Sequence, residues 1–145
     1  MTPDHSANRR RYLALWFPWL PSDRLRRGAI AGDASPEIGP NPAPVVLVEK
    51  VGGALRLAAV DPAAARAGLT PGLTLADARA RTPFLCTIIH RPEVDSALLL
   101  RVLEDFGRFT PMIAEDAPHG LLLDVTGCAH LFGGEAGLVR AAYQR

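Results

Sequence analysis

The chain has two cysteines and four histidines, whose side chains can bind a metal ion. Cys128 and His130 are two positions apart, but Cys86 lies far upstream and the chain has no CxxC pair. A zinc site normally needs three or four protein ligands. The spacing therefore predicts no metal site, and it favours two buried thiols in a reducing compartment.

Arginines form two small clusters that could contact a nucleic-acid backbone. Arg24, Arg26 and Arg27 make one cluster, and Arg79 and Arg81 make the other. Arginine is a good bidentate phosphate ligand, although such a cluster is more often a solvated helix face. The chain as a whole adds no support, because 16 basic residues stand against 15 acidic ones and the pI is 7.9. A basic binding domain has a pI above about 9, so any nucleic-acid surface must be local.

The composition is that of an ordinary globular domain: 145 residues, 48% hydrophobic and 21% charged. Glycine and proline number 13 each, which predicts short elements with many turns. The apolar run at residues 12–20 follows three arginines, but it contains Pro18 and lacks a small-residue cleavage site. It therefore indicates a strand rather than a secretory signal. No run reaches the roughly 18 apolar residues that span a bilayer, so we expect a cytoplasmic protein.

Turn and cap signals divide the first half of the chain. Residues 12–17 predict a buried, central strand, and Ser22 can cap a short helix that ends near Arg27 before a proline-rich loop at 31–44. Residues 45–49 and 55–60 predict a hairpin turned at two glycines. Asp61 and Thr74 are the expected N-caps of two short helices.

In the second half, a strand is predicted at residues 84–89, a long amphipathic helix at 93–109, a strand at 121–125 and a final helix from Glu135. This order fits an α+β fold in which helices pack on one face of a sheet. The last helix has no C-cap before Arg145, so we expect a portion of a longer protein.

Two segments carry a resemblance to a known family. LRLAAVDPAAARAGLTPGLTLADARARTP and, after the long helix, EDAPHGLLLDVTGCAHLFGG resemble the palm and fingers region of Y-family (UmuC/DinB-like) translesion DNA polymerases. Within that family the chain is most similar to the ImuB branch. The resemblance implies a ferredoxin-like palm sheet with a small helical fingers insertion. It also implies palm at 11–60, fingers at 61–83 and palm again at 84–145, whereas the polar residues at 1–10 predict a flexible N-terminal segment.

The resemblance also implies where the family's catalytic carboxylates would fall. A D-x-D motif at the end of the first strand aligns near Trp16 and Pro18, and an Asp-Glu pair before LDVT aligns with His119 and Gly120. None of these residues offers an anionic oxygen to Mg²⁺. Because nucleotidyl transfer needs carboxylates that hold Mg²⁺, we expect no catalysis and no cofactor. Trp16 and Trp19 are expected to be buried core aromatics, with base-stacking platforms as the alternative.

The fingers residues that bind the triphosphate in active members are replaced as well. Active members carry a tyrosine and an arginine in the fingers, where this sequence has Pro62 and Ala65. A slip of one residue in the alignment leaves Arg66 as a phosphate ligand. The alternative is an active nucleotidyltransferase that holds Mg²⁺ through relocated acids, and the acids in question are Glu115, Asp116, Asp124 and Asp23. Two of them would then lie within about 4 to 5 Å of each other.

The expected function is that of a non-catalytic polymerase-like adaptor in the translesion synthesis and mutagenesis that follow DNA damage in bacteria, the SOS response. The resemblance implies three protein partners: a sliding clamp, an error-prone replicative-type polymerase and a RecA-like accessory protein. Their binding segments are expected mostly beyond residue 145. DNA is a further candidate partner, a membrane is not, and the location would be the bacterial nucleoid. A ferredoxin-like binding module without a nucleic-acid role is a third hypothesis.

Overall fold

The computed structural model describes residues 10–30 and 43–145, with the side chains of residues 27–30 outside that description. The expectations for the N-terminal segment 1–9 and for most of the proline-rich loop, residues 31–42, lie outside the described residues. Two compact units make up the chain. Unit 1 comprises Met1–Phe17 and Ser96–Arg145, and unit 2 comprises Pro18–Asp95.

Six strands, five α-helices and one 3₁₀ helix are formed by the described residues. In chain order they are β1 (Tyr12–Trp16), α1 (Leu20–Ile30), β2 (Val45–Val51), β3 (Ala54–Val60), α2 (Pro62–Arg66), α3 (Leu75–Arg81), β4 (Cys86–Ile89), α4 (Pro92–Phe106), β5 (Ile113–Asp116), β6 (Gly120–Asp124), a 3₁₀ turn (Ala129–Phe132) and α5 (Glu135–Tyr143). The mixed α+β class is confirmed. Among the described residues, no helix has the length and apolar character needed to cross a membrane.

Unit 1 contains an antiparallel sheet of three strands in the order β1-β6-β5. Side chains alternate between its two faces, and residues directly opposite each other point to the same face. Leu121 and Leu123 of the central strand β6 are fully buried, whereas Leu122 between them is exposed. One face of this sheet is therefore core, and the other is open.

Three phenylalanine rings pack against one another in unit 1. The rings of Phe109 and Phe106 are 5.4 Å apart between centroids, and those of Phe109 and Phe132 are 5.2 Å apart. Tilted pairs at such distances are favourable aromatic contacts. An ion pair between Arg11 and Glu135 connects the start of β1 to the start of α5.

Unit 2 contains the second sheet, with strand order β3-β2-β4. β2 pairs antiparallel with β3 and parallel with β4. Val46 and Val48 pack into one apolar cluster, and Val45 and Leu47 pack into another, and all four side chains are buried. Successive strand residues face opposite sides, so this part of the sheet is covered on both faces.

The helix caps of unit 2 follow the sequence signals. The Asp61 carboxylate accepts a hydrogen bond from the Ala64 N–H at 2.7 Å, and the Thr74 hydroxyl accepts one from the Asp77 N–H at 3.1 Å. Each cap satisfies an N–H that has no partner within the helix. Both predicted N-caps are confirmed, as is the β2–β3 hairpin.

Several boundaries and one strand differ from the sequence predictions. The strands form two sheets instead of one, and β1 is an outer strand of the described sheet rather than a central one. β5 was not predicted, because its IAED sequence has only two apolar residues. α1 begins before Ser22 and continues through Gly28 to Ile30, since one glycine weakens a helix by only about 1 kcal/mol. Phe84 precedes β4 and is exposed, not buried in it.

Candidate functional site

The register of β1 and β6 places the positions singled out by the resemblance side by side. Trp16 lies directly opposite Gly120. The next residue, Phe17, donates its N–H to the His119 carbonyl at 2.7 Å. Pro18 follows in a turn before α1. Three of the four predicted positions, Trp16, His119 and Gly120, therefore meet at one end of the unit 1 sheet.

Trp16 is not a core residue. Its side chain is 77% exposed, so the expectation of a buried aromatic that fills an active-site floor is wrong. The physical reason is strand alternation: Leu13 and Leu15 turn toward the core, whereas Tyr12, Ala14 and Trp16 turn toward the open face. An apolar run suggested burial on both faces, but only one face of β1 is covered. Trp19 in unit 2 packs against an apolar cluster as expected, but it is half-buried rather than fully buried.

Backbone atoms of the two neighbouring strands lie close to Gly120. A Cβ built at this position would lie 2.9 Å from the Asp116 carbonyl oxygen, 3.2 Å from the Asp116 Cβ and 3.2 Å from the Leu15 carbonyl oxygen. A contact below 3.0 Å to a backbone atom requires the backbone to move. Any side chain at Gly120, a carboxylate included, therefore demands a shift of the β5–β6 hairpin.

The acids proposed as relocated ligands do not converge. Asp116 lies opposite Gly120 and shares its face, whereas Glu115 next to it pairs with buried Leu121 and belongs to the other face. Asp124 is four residues along β6 from Gly120, about 13 Å at the rise of a strand. Among the described residues, no group of three or more His, Cys, Asp or Glu side chains could hold a metal ion. Asp23 is in unit 2.

Asp124 already has partners at the other end of the open face. It accepts a hydrogen bond from the Thr126 N–H at 3.0 Å. Hydrogen bonds with Thr126 lower the pKa of Asp124, and the positive charge of Arg10 lowers it further. Arg10 in turn interacts with the Tyr12 hydroxyl, and this contact and the Asp124 charge raise the pKa of Arg10. Asp124 is thus a structural carboxylate at the end of β6.

The fingers positions lie around helix α2. Pro62 is its first residue, and Ala65 is half-buried against the apolar cluster of unit 2. Neither side chain can grip a phosphate. Arg66, the residue that an alignment slip would leave as the phosphate ligand, is exposed in the last turn of α2 and has no ion-pair partner among the described residues.

The two arginine clusters differ in their surroundings. The Arg24 Nε donates to Asp95 Oδ1 at 2.7 Å, and Arg26 is paired with fully buried Asp61. These two charges are balanced inside unit 2, which makes them structural, while the side chain of Arg27 lies outside the described residues. Arg79 and Arg81 on α3 are exposed without a carboxylate partner in the described structure. Arg81 reaches the Gly68 carbonyl at 3.5 Å.

Sequence reasoning missed a charged cluster around Asp95, which is 4% exposed. Besides Arg24, its carboxylate lies 3.2 Å from His90 Nε2, and His90 Nδ1 lies 3.5 Å from Glu49. The one available signal was a carboxylate in the first turn of α4, where acids favour the helix N-terminus. That signal gives no hint of the partners, because they come from three other segments. Cys86 and Cys128 are thiols that are half-buried rather than fully buried.

Comparisons with known proteins bear on this geometry. No family model matches the chain. It is 46% identical over 72 residues to Protein ImuB of Caulobacter vibrioides, in strain NA1000 / CB15N and in strain ATCC 19089 / CIP 103742 / CB 15. That match covers 50% of this chain and 16% of each relative. Half of the chain is homologous to ImuB.

Solved structures give the fold. An insertion ternary complex of Dbh DNA polymerase superposes with a TM-score of 0.74 at 16% identity, and covers 92% of this chain and 38% of that one. DinB from Sulfolobus solfataricus gives a TM-score of 0.70 at 14% identity, and covers 92% of this chain and 36% of that one. A Y-family polymerase chimera of Dbh and Dpo4 gives a TM-score of 0.71 at 14% identity, and covers 92% of this chain and 37% of that one. The fold is that of the palm and fingers region of Y-family polymerases, and the expected ImuB-like resemblance is confirmed. The residue boundaries between palm and fingers stay a prediction.

Proposed function

We propose that the chain is part of a non-catalytic, polymerase-like adaptor in DNA-damage-induced translesion synthesis. The observation that carries this proposal is the pairing of an exposed Trp16 with a crowded Gly120 at the sheet end where the resemblance places the metal carboxylates. A Y-family fold without ligands at these positions lacks the means to activate a primer hydroxyl or to neutralise the triphosphate through Mg²⁺. The homology to ImuB supports a role in DNA damage tolerance.

The active alternative receives little support from the described acids. Asp116 and Asp124 are separated by most of the length of β6, and two carboxylates must come within about 4 to 5 Å to share one Mg²⁺. The crowding at Gly120 also argues against a carboxylate that returns by simple substitution.

Primer extension by the full-length protein with Mg²⁺ and with Mn²⁺ tests this proposal, with Dbh polymerase as the positive control. We expect no extension. Extension that Glu115→Ala, Asp116→Ala or Asp124→Ala abolishes would contradict the proposal, because the metal site would then have moved rather than vanished.

DNA binding is a separate part of the proposal, and α3 is its candidate surface. Arg79 and Arg81 are exposed, and their charge is not balanced by a described carboxylate. Fluorescence anisotropy across a salt series should show binding with a salt slope that decreases by about one in Arg79→Ala and in Arg81→Ala, because each variant removes one phosphate ligand. Arg101→Ala, an exposed arginine on α4, is the matched control. An unchanged slope in both α3 variants would exclude this surface.

The protein partners and the location follow from the resemblance alone. We propose a sliding clamp, an error-prone replicative-type polymerase and a RecA-like accessory protein as partners in the bacterial nucleoid, mostly through segments beyond residue 145. Co-purification of each candidate with the full-length protein and with residues 1–145 tests where they bind. Equal recovery by both chains would contradict the assignment of their binding to the later segments.

A further inference from the structure

The charged cluster of unit 2 places a histidine between two carboxylates. His90 directly follows β4, and its Nε2 lies 3.2 Å from Oδ2 of Asp95 on α4. On the other side of the ring, Nδ1 lies 3.5 Å from Oε2 of Glu49 on β2. The His90 side chain is 15% exposed and that of Asp95 is 6% exposed, so water screens their contact only partly. Both ring nitrogens therefore face an acceptor.

The neutral and protonated forms of the imidazole fit this position unequally. A neutral ring has one N–H and one lone pair, so it can donate to one carboxylate and must turn its lone pair toward the other. An imidazolium has two N–H groups and can donate to both in charge-assisted hydrogen bonds. Oδ2 of Asp95 is buried and accepts no aligned hydrogen bond from the described residues, although His90 Nε2 lies within reach. Because an unpaired buried oxygen is costly, the position favours a protonated ring.

The balance of charge in the cluster points the same way. Arg24 on α1 donates to the other oxygen of Asp95, Oδ1, at 2.7 Å. This arginine therefore compensates one of the two carboxylates and leaves the charge of Glu49 uncompensated. A proton on His90 supplies the second positive charge.

Other charged residues close to the cluster do not replace that proton. Arg56 lies opposite Glu49 on β3, but its guanidinium donates to a backbone carbonyl at 2.9 Å. Lys50 follows Glu49 along β2, and strand alternation turns it to the opposite face. Arg91 and Glu93 are both exposed and have opposite charges, so together they leave the local balance unchanged.

We propose that His90 is a proton-dependent link, in which the imidazolium joins the end of β2 to the first turn of α4. Loss of the proton would release Glu49, which is 49% exposed and can turn to solvent, whereas Asp95 would stay paired with Arg24. Histidine is the side chain that ordinarily changes charge between pH 5 and 8, so the link would respond within that range or just above it. It uses none of the positions at which the resemblance places the catalytic carboxylates, and it is independent of the proposed function.

The first test follows the ring nitrogens of His90 in long-range ¹H–¹⁵N spectra of the 145-residue chain during a pH titration. A protonated ring gives two similar nitrogen shifts, and a neutral ring gives two well-separated ones. We expect His90 to keep the protonated pattern at about pH 7.5, where His130, an exposed histidine of unit 1, shows the neutral pattern. This comparison needs no variant.

Substitution of the more exposed carboxylate gives the second test. Glu49→Gln removes one acceptor with little change of shape, and it should weaken proton binding by His90 about fivefold. Glu93→Gln, which removes an exposed carboxylate from the first turn of α4, is the matched control and should leave proton binding unchanged.

Urea unfolding between pH 6 and pH 9 gives the third test. The folded chain would bind this proton more tightly than the unfolded chain, so the stabilisation is complete below about pH 6.5 and disappears as the pH rises through the folded titration. The unfolding constant of the wild type, relative to that of His90→Gln, should therefore rise about tenfold over this range. His130→Gln is the matched control and should keep the pH dependence of the wild type.

Three results would overturn the link. His90 and His130 could lose the protonated pattern at the same pH, Glu49→Gln and Glu93→Gln could affect proton binding equally, or the ratio of the two unfolding constants could stay constant with pH. None of these measurements reports primer extension or DNA binding. Their failure would therefore leave the proposed function intact, and primer extension by the full-length protein would leave the link intact.

Discussion

The two sheets formed by the described residues each have three strands, but they differ in exposure. In unit 2, the first four residues of β2 are buried whichever way they point, because an apolar cluster covers each face of the sheet. In unit 1, β6 buries Leu121 and Leu123 and exposes Leu122. The unit 2 sheet is thus buried on both faces at β2, whereas the unit 1 sheet has one face that is exposed.

The same comparison bears on the proposed lack of catalysis. Positions on an open face contribute little to core packing, so the residue at position 16 can change there at small cost in stability. Gly120 differs, because the β5–β6 hairpin has closed around it and leaves no space for a side chain. Position 16 is therefore a surface position, whereas position 120 is constrained by the backbone around it.

The largest expected effect comes from substitutions at adjacent strand positions. Val46→Ala and Leu47→Ala on β2 should both destabilise the protein, Leu47→Ala by about 3 kcal/mol, since each residue is fully buried on its own face. On β6, Leu121→Ala should have a similar effect, whereas Leu122→Ala should change the free energy of unfolding by less than about 1 kcal/mol. Urea unfolding measures all four. A destabilisation by Leu122→Ala as large as that by Leu121→Ala would contradict the open face.

The charged cluster in unit 2 should give the next largest effect. Asp95→Ala leaves the buried side of Arg24 without its carboxylate and should destabilise the protein by about 2 kcal/mol, after allowance for the partial exposure of Arg24. Asp23→Ala, an exposed acid on α1, is the matched control and should have little effect. Thermal unfolding at neutral pH measures both, and equal stabilities would show that the cluster does not stabilise unit 2.

Gly120→Ala tests the crowding in unit 1. Its Cβ would meet two carbonyl oxygens and the Asp116 Cβ, so the hairpin must shift, and we expect a destabilisation of about 1.5 kcal/mol. Ala14→Ser, on the same face of β1, should be close to neutral. Urea unfolding of both variants provides the comparison. A neutral Gly120→Ala would mean that the hairpin yields easily, and a carboxylate at this position would then be compatible with the fold.

The sequence predicts the helices of unit 2 better than it predicts which side chains of unit 1 are exposed. Asp61 and Thr74 can be recognised as caps because capping depends on a residue and its neighbours three positions on. Trp16 could not be placed in the same way. An apolar strand has the same pattern whether or not its second face is covered, and coverage depends on distant segments.

In the candidate site, too, some neighbouring positions could be predicted from the sequence and others could not. The resemblance aligns the family's carboxylate positions with Trp16 and Pro18 on one segment and with His119 and Gly120 on another, and the β1–β6 register brings Trp16, His119 and Gly120 together. Asp116 could not be predicted as a neighbour of Trp16, because the IAED segment lacks the alternation that identifies a strand. The partners of Arg24 and Arg26 were equally hidden, since pairing across more than 30 positions leaves no local signal.

The smallest expected effect separates the two acids of the open face. Thr126 lowers the pKa of Asp124, so the folded chain binds this proton less tightly than the unfolded chain. The resulting stabilisation is complete above the unfolded pKa and disappears as the pH falls through the folded one. Thr126→Val should therefore raise the Asp124 pKa toward its ordinary value, and Thr126→Ser, which keeps the hydroxyl, should leave it low. A ¹³C titration of the Asp124 carboxyl measures both. If Thr126→Val leaves the pKa low, the hydrogen bond from the Thr126 N–H, and not its hydroxyl, holds the Asp124 pKa down.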